Sequence, residues 1–430
     1  MARRRVVITG MGCITPLGQS VQEYWSNLIG GGCGISPTEL FDATTFPSTF
    51  SAQVKNFRLE DHIGELGIHA NAGRNTRFGL AAAQQAWDQS GLANPDPERV
   101  GVYLGSGEGS LDFDNFCEVM VKSWVAEEHR LDTIKWAELA LAKMSAVREL
   151  EQEPNMPAAH VALRFNARGP NFNCLTACAA STQATGEATM AIRRGDADVI
   201  ISGGCHSMIH PFGVTGFNRL TALSTRNDSP RTASRPFDAE RDGFVLGEGA
   251  SMLILEELQH ARARGAKILA EVIGYGSTAD AFRITDIHPE GRGGFMAMEL
   301  AIRDAGIDKS QVHYICAHGT STSENDRTET LAVKSAFGPL APNVPISSPK
   351  SMLGHLIAAA GATELIACIM AIRTGIIPPT ANLMHPDPEC DLDYVPNTPR
   401  KADVRIAINN SFGFGGQNDS VIVCRYEESD

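Results

Sequence analysis

Short apolar runs ending in glycine alternate along this chain with longer stretches in which apolar residues return every three or four positions. RRVVITGMG (4–12) predicts a buried strand running into a glycine turn, and VGVYLGSGEG (100–109) a second strand with a glycine exit. Residues 77–92 predict a helix closed by Gly91, and 293–307 a helix ending at Gly306. Residues 181–204 read as helix, Gly-Asp turn and strand, and 312–322 as a strand feeding a polar loop. A further helix is predicted over 359–378, then two strands joined by glycines over 405–424. Strands alternating with helices predict an α/β fold with largely parallel sheets.

The alternation runs twice. A helix ending in SGL at 90–92 resembles one ending in AGI at 305–307, and each is followed by a strand with a polar exit. This predicts an internal duplication, with halves 1–265 and 266–430. The long polar segment 223–250 lies between the two runs, and loops of that length usually serve a site. Residues 112–157 interrupt the first half. There Phe116, Val119, Met120, Ile134, Leu141 and Met144 fall at helical spacing, predicting two amphipathic helices whose apolar faces serve packing or subunit contact.

Composition narrows the class. At 430 residues with 43% hydrophobic and 20% charged content, the chain is an ordinary globular sequence. Its net charge of −13 argues against a general nucleic-acid binder. The ten cysteines are scattered, which fits a reducing compartment better than a disulfide framework. Three arginines precede the first apolar run, but Gly10, Gly12 and Pro16 interrupt it before it reaches signal-peptide length. No uninterrupted apolar stretch is long enough to cross a membrane. A cytoplasmic location is expected.

Candidate chemistry begins in NCLTACAAST (173–182), where Cys178 stands among small residues between a predicted strand and a predicted helix. A helix N-terminus stabilises a thiolate, so a nucleophile is expected here, although a lone cysteine is more often structural. AHGTST puts His318 at a strand end, and SSPKSMLGH puts Lys350 five residues before His355. Cysteine, two histidines and a lysine suit thioester chemistry. Other readings are weaker. GMGCIT and GSGEGS fail the dinucleotide-loop pattern at Thr15 and Ser110, and Cys174 with Cys178 lacks a second pair for zinc.

TACAAS, HGTST, PKSMLGH and NSFGFGG, with ALSTRND and ASRPFDAERDGFVLGEGA between them, resemble in order the motifs of β-ketoacyl-acyl-carrier-protein synthases of the elongating type II kind. The resemblance spans residues 4–424. It implies a thiolase-like fold of five alternating αβαβα layers built from two similar halves, usually as a homodimer. It further implies that Cys178 takes the acyl group, with the N–H groups of Cys178 and Phe414 as oxyanion donors. His318 and His355 match the pair that stabilises the malonyl enolate. Lys350 matches the ordering lysine, and Glu329 its acidic partner. Thr320 and Thr322 match the hydroxyls that hold the pantetheine arm, while Phe412 and Gly415 belong to the closing motif that borders the substrate. The resemblance implies no metal and no free cofactor, because acyl groups arrive on the phosphopantetheine of an acyl carrier protein.

The chain departs from the family pattern at three places. Ser323 follows HGTST where proline is common, and Glu108 follows GSG where an apolar residue borders the acyl pocket. The 112–157 region is longer than usual. A carboxylate facing a fatty chain is unfavourable unless paired, so Glu108 either points elsewhere or marks a pocket for shorter or more polar groups. Arg74, Arg77, Arg219 and Arg226 are candidates for steering an acidic carrier. Two alternatives stay open: a thiolase-type acyltransferase, and a non-catalytic chain-length partner of a condensing heterodimer.

Overall fold

The computed structural model describes residues 3–109, 112–283 and 287–428; Ser110, at which one dinucleotide-loop reading ended, lies outside them. Ten strands form one continuous sheet: β1 Val6–Ile14, β2 Val100–Ser106, β3 Asn171–Cys174, β4 Val199–His206, β5 Gly249–Glu257, β6 Ala270–Ala279, β7 Tyr314–Cys316, β8 Ile346–Ser347, β9 Ile406–Gly413 and β10 Gln417–Cys424. Their spatial order is β8-β7-β9-β10-β6-β1-β5-β4-β2-β3. Counted outward from the β6–β1 seam, each set of five follows the same path. The first strand of each set pairs antiparallel with the fifth, the fifth antiparallel with the fourth, and the fourth, second and third run parallel. The antiparallel pair β1–β6 joins the sets, Val7 opposite Glu271.

Helices sort around this folded sheet into the remaining layers. Helix α1 (Arg74–Ser90) covers the outer face of the first set. Helices α2 (Phe113–Ser123), α3 (Thr133–Lys143) and α4 (Met156–Phe165) follow β2. Helix α5 (Ala180–Arg194) enters the middle of the molecule, and α6 (Pro211–Arg219) follows β4. Helices α7 (Arg292–Ala305) and α8 (Ser323–Phe337) belong to the second set, and α9 (Ala360–Thr374) packs against α5 between the two halves of the sheet. This is the thiolase-like five-layer arrangement. Helices α1, α5, α7 and α9 all end on a left-handed glycine, Gly91, Gly195, Gly306 and Gly375, which accepts that conformation without a Cβ penalty.

Three readings of the sequence change here. The main sheet is mixed rather than largely parallel, with five of its nine strand pairings antiparallel. RRVVITGMG does not end in a turn, because β1 runs straight through Gly10 and Gly12 to Ile14. Those glycines admit the alanine stripe of α1: an added Cβ would lie 1.9 Å from Ala86 O at Gly10 and 2.1 Å from Ala82 O at Gly12. In the 112–157 region helices form, but the apolar spacing does not mark a packed face throughout. Val119 is buried, whereas Ile134 is 74% and Leu141 89% exposed. The second predicted helix also breaks at Met144, and Ser145 opens a separate turn over Ala146–Leu150.

Among the described residues one helical stretch, Ile357–Thr374, is long and apolar enough to cross a membrane; it is the core of the middle layer, 89% buried within the protein.

Candidate active site

Cys178 sits in a single 3-10 turn, Ala177–Ala179, that connects the exit of β3 to α5. Ala177 turns the chain with φ 46°, a left-handed value that favours glycine. The thiol is 5% exposed, and the backbone N–H groups of Phe414 and of Cys178 itself both point at Sγ. Phe414 comes from the glycine turn after β9, where Gly415 and Gly416 take φ 90° and 77°. Gly413 lets that turn close on the nucleophile: a Cβ there would lie 2.8 Å from Thr176 O and 3.3 Å from Ala179 N. The two expected oxyanion donors thus meet at one sulfur. Burial pushes the Cys178 thiol up to about 11, against the opposing pull of Lys350 and the two N–H groups. Burial thus works against the lowering expected from a helix start.

The second set of strands delivers the histidines. His318 follows β7, and its N–H and that of Gly319 donate to the two oxygens of Glu329 on α8, each at 2.8 Å. His355 follows a short helix, Lys350–Leu353, and its Nδ1 accepts the N–H of Ile357 at 3.2 Å. Ile357 repeats the nucleophile turn, with φ 43° before a 3-10 turn, Ile357–Ala359, that leads into α9. Because Nδ1 of His355 accepts a main-chain proton, Nε2 carries the ring proton, and no protein atom among the described residues accepts it. Lys350 Nζ lies 3.5 Å from Nδ1 of His318, which sets the same tautomer there. The two rings stand nearly perpendicular, centroids 5.4 Å apart. Burial first, then the Lys350 charge, holds both imidazoles well below their usual range, so both are neutral donors.

Cys178 Sγ and one nitrogen of each ring lie within 4.8 Å of one another, a spacing that a metal ion also fits. The tautomers argue for another use: a metal takes a ring lone pair, whereas Nε2 of each ring carries a proton.

One expectation is overturned. Glu329 is not the ion-pair partner of Lys350; its carboxylate is spent on the His318–Gly319 backbone. The buried ammonium of Lys350 instead pairs with Glu364 on α9 and donates to His318 O at 2.6 Å. Glu364 is the single acidic residue of that helix, whose other charge, Arg373, lies in the last turn.

The pair opens onto a cleft of about 500 Å³, whose walls include Thr320, Thr322, Phe412 and Phe414. The Thr320 and Thr322 hydroxyls lie 2.9 Å apart, and Thr322 also caps α8. Ser323, in place of proline, begins α8 with its hydroxyl on Glu324 at 2.8 Å. Glu108 is exposed and outside this cleft, beside His210. Of the candidate arginines, Arg74 is held by Glu248 and Val54 O, and Arg77 by the carbonyls of Ala70 and Ala72. Arg226 reaches Glu240 and Asp242. Arg219 alone of the four is exposed next to the cleft, one residue before the lining residue Leu220.

Comparison with known proteins agrees with this geometry. The family descriptions "Beta-ketoacyl synthase, N-terminal domain" and "Beta-ketoacyl synthase, C-terminal domain" match residues 3–261 and 269–384. The chain is 42% identical to 3-oxoacyl-[acyl-carrier-protein] synthase 2 of Vibrio harveyi over 100% of both chains, and 41% identical to that of Coxiella burnetii over 99% of both. Among solved structures, a type II polyketide ketosynthase in complex with its acyl-carrier protein superposes with TM-score 0.87 at 33% identity, covering 99% of this chain and 100% of that one. The ishigamide ketosynthase/chain length factor gives 0.87 at 35%, with the same coverage. A thiol with two oxyanion donors, faced by two neutral imidazoles on a duplicated five-layer frame, agrees with what these matches say of descent: the chain belongs to the β-ketoacyl synthase family.

Proposed function

We propose that this protein joins an acyl group held on Cys178 to malonyl-acyl-carrier protein with loss of CO₂, giving a β-ketoacyl-carrier protein in fatty acid or polyketide-like synthesis. The observation that carries the reading is that Cys178 Sγ lies within 4.8 Å of one nitrogen of each of two neutral imidazoles, whose Nδ1 atoms face Lys350 Nζ and the N–H of Ile357 and so leave the ring protons on Nε2. A base would need a free lone pair there; a nascent enolate needs donors.

In the first step Sγ attacks the carrier thioester, and the N–H groups of Cys178 and Phe414 hold the oxyanion. The pantetheine sulfur leaves and takes up the proton that Sγ gives up, so charge balances. In the second step the malonyl C–C bond to the carboxylate breaks, CO₂ leaves, and the electron pair moves onto the thioester oxygen, held by His318 and His355. The enolate carbon attacks the acyl-cysteine carbonyl, whose oxyanion occupies the same two N–H groups. Collapse expels the Cys178 thiolate, which takes a proton from solvent. Lys350 lies behind His318 and keeps it neutral; Glu364 balances Lys350, and Glu329 fixes the His318 turn. Thr320 and Thr322 bind the pantetheine arm along the cleft, with Phe412, Phe414 and Gly415 shaping its inner end. The reaction so written uses no metal and no cofactor beyond the phosphopantetheine the carrier brings.

Several further points belong to the same reading. The partner is an acyl carrier protein, supported by the carrier-bound ketosynthase above, with Arg219 at the mouth as the basic contact. The chain divides into halves 1–265 and 266–430, supported by the repeated strand path. A homodimer is supported by β3, which ends the sheet with Phe172 45% exposed, and by the uncovered apolar residues of α3. The cytoplasm, where carrier-bound intermediates are made, is its location.

Replacing Cys178 by alanine should abolish product. Cys178→Gln should release CO₂ from malonyl-carrier faster than wild type without product, its amide standing in for the acyl-enzyme while the histidines stay intact. Condensation by Cys178→Ala, or background CO₂ release by Cys178→Gln, would sink the proposal. The second outcome would favour a thiolase-type route.

A further inference from the structure

Outside the cleft, three titratable side chains form a run of hydrogen bonds that no condensation step uses. His69 Nδ1 and His160 Nδ1 lie 2.8 Å apart, and His160 Nε2 lies 2.8 Å from Oε1 of Glu151. Each of the three residues is buried, only 5% exposed. With both rings neutral, the carboxylate accepts the Nε2 proton of His160, so His160 Nδ1 carries a lone pair and His69 donates to it. One proton then bridges the two rings.

The run joins parts of the chain that are distant in sequence. His69 ends the 3-10 turn Gly67–His69, His160 stands on α4, and Glu151 closes the short turn Ala146–Leu150. Oε2 of Glu151 also accepts the N–H of Gly73, the residue that caps α1, at 3.4 Å. Next to it, Gly109 N–H donates to Gln152 O at 2.9 Å. At its other end the 112–150 stretch is held by rings. Phe113 and Phe116 of α2 meet Phe212 of α6 edge-on, with centroids 5.2 and 5.7 Å apart, and Val214 of α6 packs in one cluster with Cys178. Between these ends α2 and α3 pack chiefly on each other. The stretch therefore has one apolar anchor, beside the nucleophile's helix neighbour α6, and one titratable anchor.

We propose that His69, His160 and Glu151 are a proton-operated latch that fastens the end of the 112–150 stretch to α4 and to the start of α1, and releases it in mild acid. When each ring carries its own Nδ1 proton, two N–H groups face each other at 2.8 Å and the bond is lost. Around the rings, Arg164 on α4 adds a like charge and Glu151 is the opposing anion, while Arg74 at the start of α1 is engaged by Glu248. Burial first, then His160 and Arg164, holds the closed His69 below its ordinary value. A released His69 is solvated and takes a proton near that ordinary value, about 6.5. The open form thus binds a proton that the closed form excludes, so opening is favoured as pH falls below about 6.5, by up to about tenfold per pH unit.

The test is hydrogen–deuterium exchange of the full chain at pH 5.5, 6.5 and 7.5, with labelling times scaled for the intrinsic exchange rate. In wild type, peptides covering 67–73 and 151–162 should exchange faster at pH 5.5 than at 6.5 by up to about tenfold, while α9 stays protected and so excludes global unfolding. His69→Asn keeps an N–H donor near the place of Nδ1 and cannot take up a proton in this range; it should stay protected at all three pH values. His160→Leu removes the latch and should exchange fast at every pH. If that variant fails to fold, wild type against His69→Asn still decides. No acceleration in wild type means that the pair takes its proton while closed, on His160 between His69 and Glu151, and overturns the proposal. Equal acceleration in His69→Asn also overturns it, by assigning the change to another group. Neither readout uses the condensation reaction, so the outcome stands apart from the function proposed above.

Discussion

The ammonium of Lys350 and the carboxylate of Glu364 meet inside the protein with side chains only 1% and 2% exposed. Removing one member of a buried pair strands the other, at a cost of about 3–5 kcal/mol, whereas an apolar replacement of both can be neutral. Glu364→Leu should therefore lower stability by about that amount, and Lys350→Met/Glu364→Leu should recover most of it while leaving condensation crippled. Urea unfolding beside turnover checks both halves. A double variant as unstable as the single would mean the pair is structural.

The buried thiol sets a pH dependence. With Cys178 near 11, the thiolate fraction, and with it alkylation by iodoacetamide, should rise about tenfold per pH unit from 7 to 9. No break is expected near 6.5, since both histidines are held well below that value. Lys350→Met removes the largest force stabilising the thiolate and should slow alkylation throughout. A plateau below pH 8 would show a thiolate already formed.

Glu329 makes a separate prediction about stability. Burial pushes its carboxyl up to about 7, above its range in the unfolded chain. The folded state then holds a proton that the unfolded state releases between about pH 4.5 and 7, so this group's contribution falls as pH rises through that window. The slope is up to about 1.4 kcal/mol per pH unit. The stability of wild type relative to Glu329→Gln, measured from pH 5 to 8, should fall as pH rises to about 7 and then level off. Parallel curves would mean that Glu329 is ionised throughout.

The oxyanion donors can be moved without touching a reacting group. Gly413→Ala places a methyl against Thr176 O and Ala179 N, displacing Phe414 from Sγ. A drop in kcat of about 10²–10³ is expected at temperatures where the variant is fully folded. Unchanged kcat would remove the Phe414 N–H from the mechanism.

What the sequence revealed and what it hid divide along physical lines. The glycines ending α1 and α7 were legible, because a left-handed cap is local chemistry. So were Cys178, His318 and His355, each at a loop tip beside small residues. The partner of Lys350 was not. Glu329 stands closer to His318 in the chain, but Glu364 is fourteen residues past Lys350 and reaches it only because α9 folds back through the middle layer. Gly10 and Gly12 misled for a similar reason: the same residue type serves a turn and a close helix contact, and only the alanine stripe of α1 decides between them. Helical spacing in 112–157 revealed which residues share a face, but not what covers it.

Ala177 and Ile357 occupy matching turns, φ 46° and 43°, in the two halves. One places a sulfur; the other donates the N–H that aims His355. Glycine would take either angle without strain, and its broad well would let both turns wander. Alanine and isoleucine hold a far narrower left-handed well, at a cost of about 1–3 kcal/mol each. The alignment of nucleophile and donors is thus set by restricted chain freedom at two positions whose side chains carry no reacting group, and a loss of precision there would leave every catalytic side chain in place.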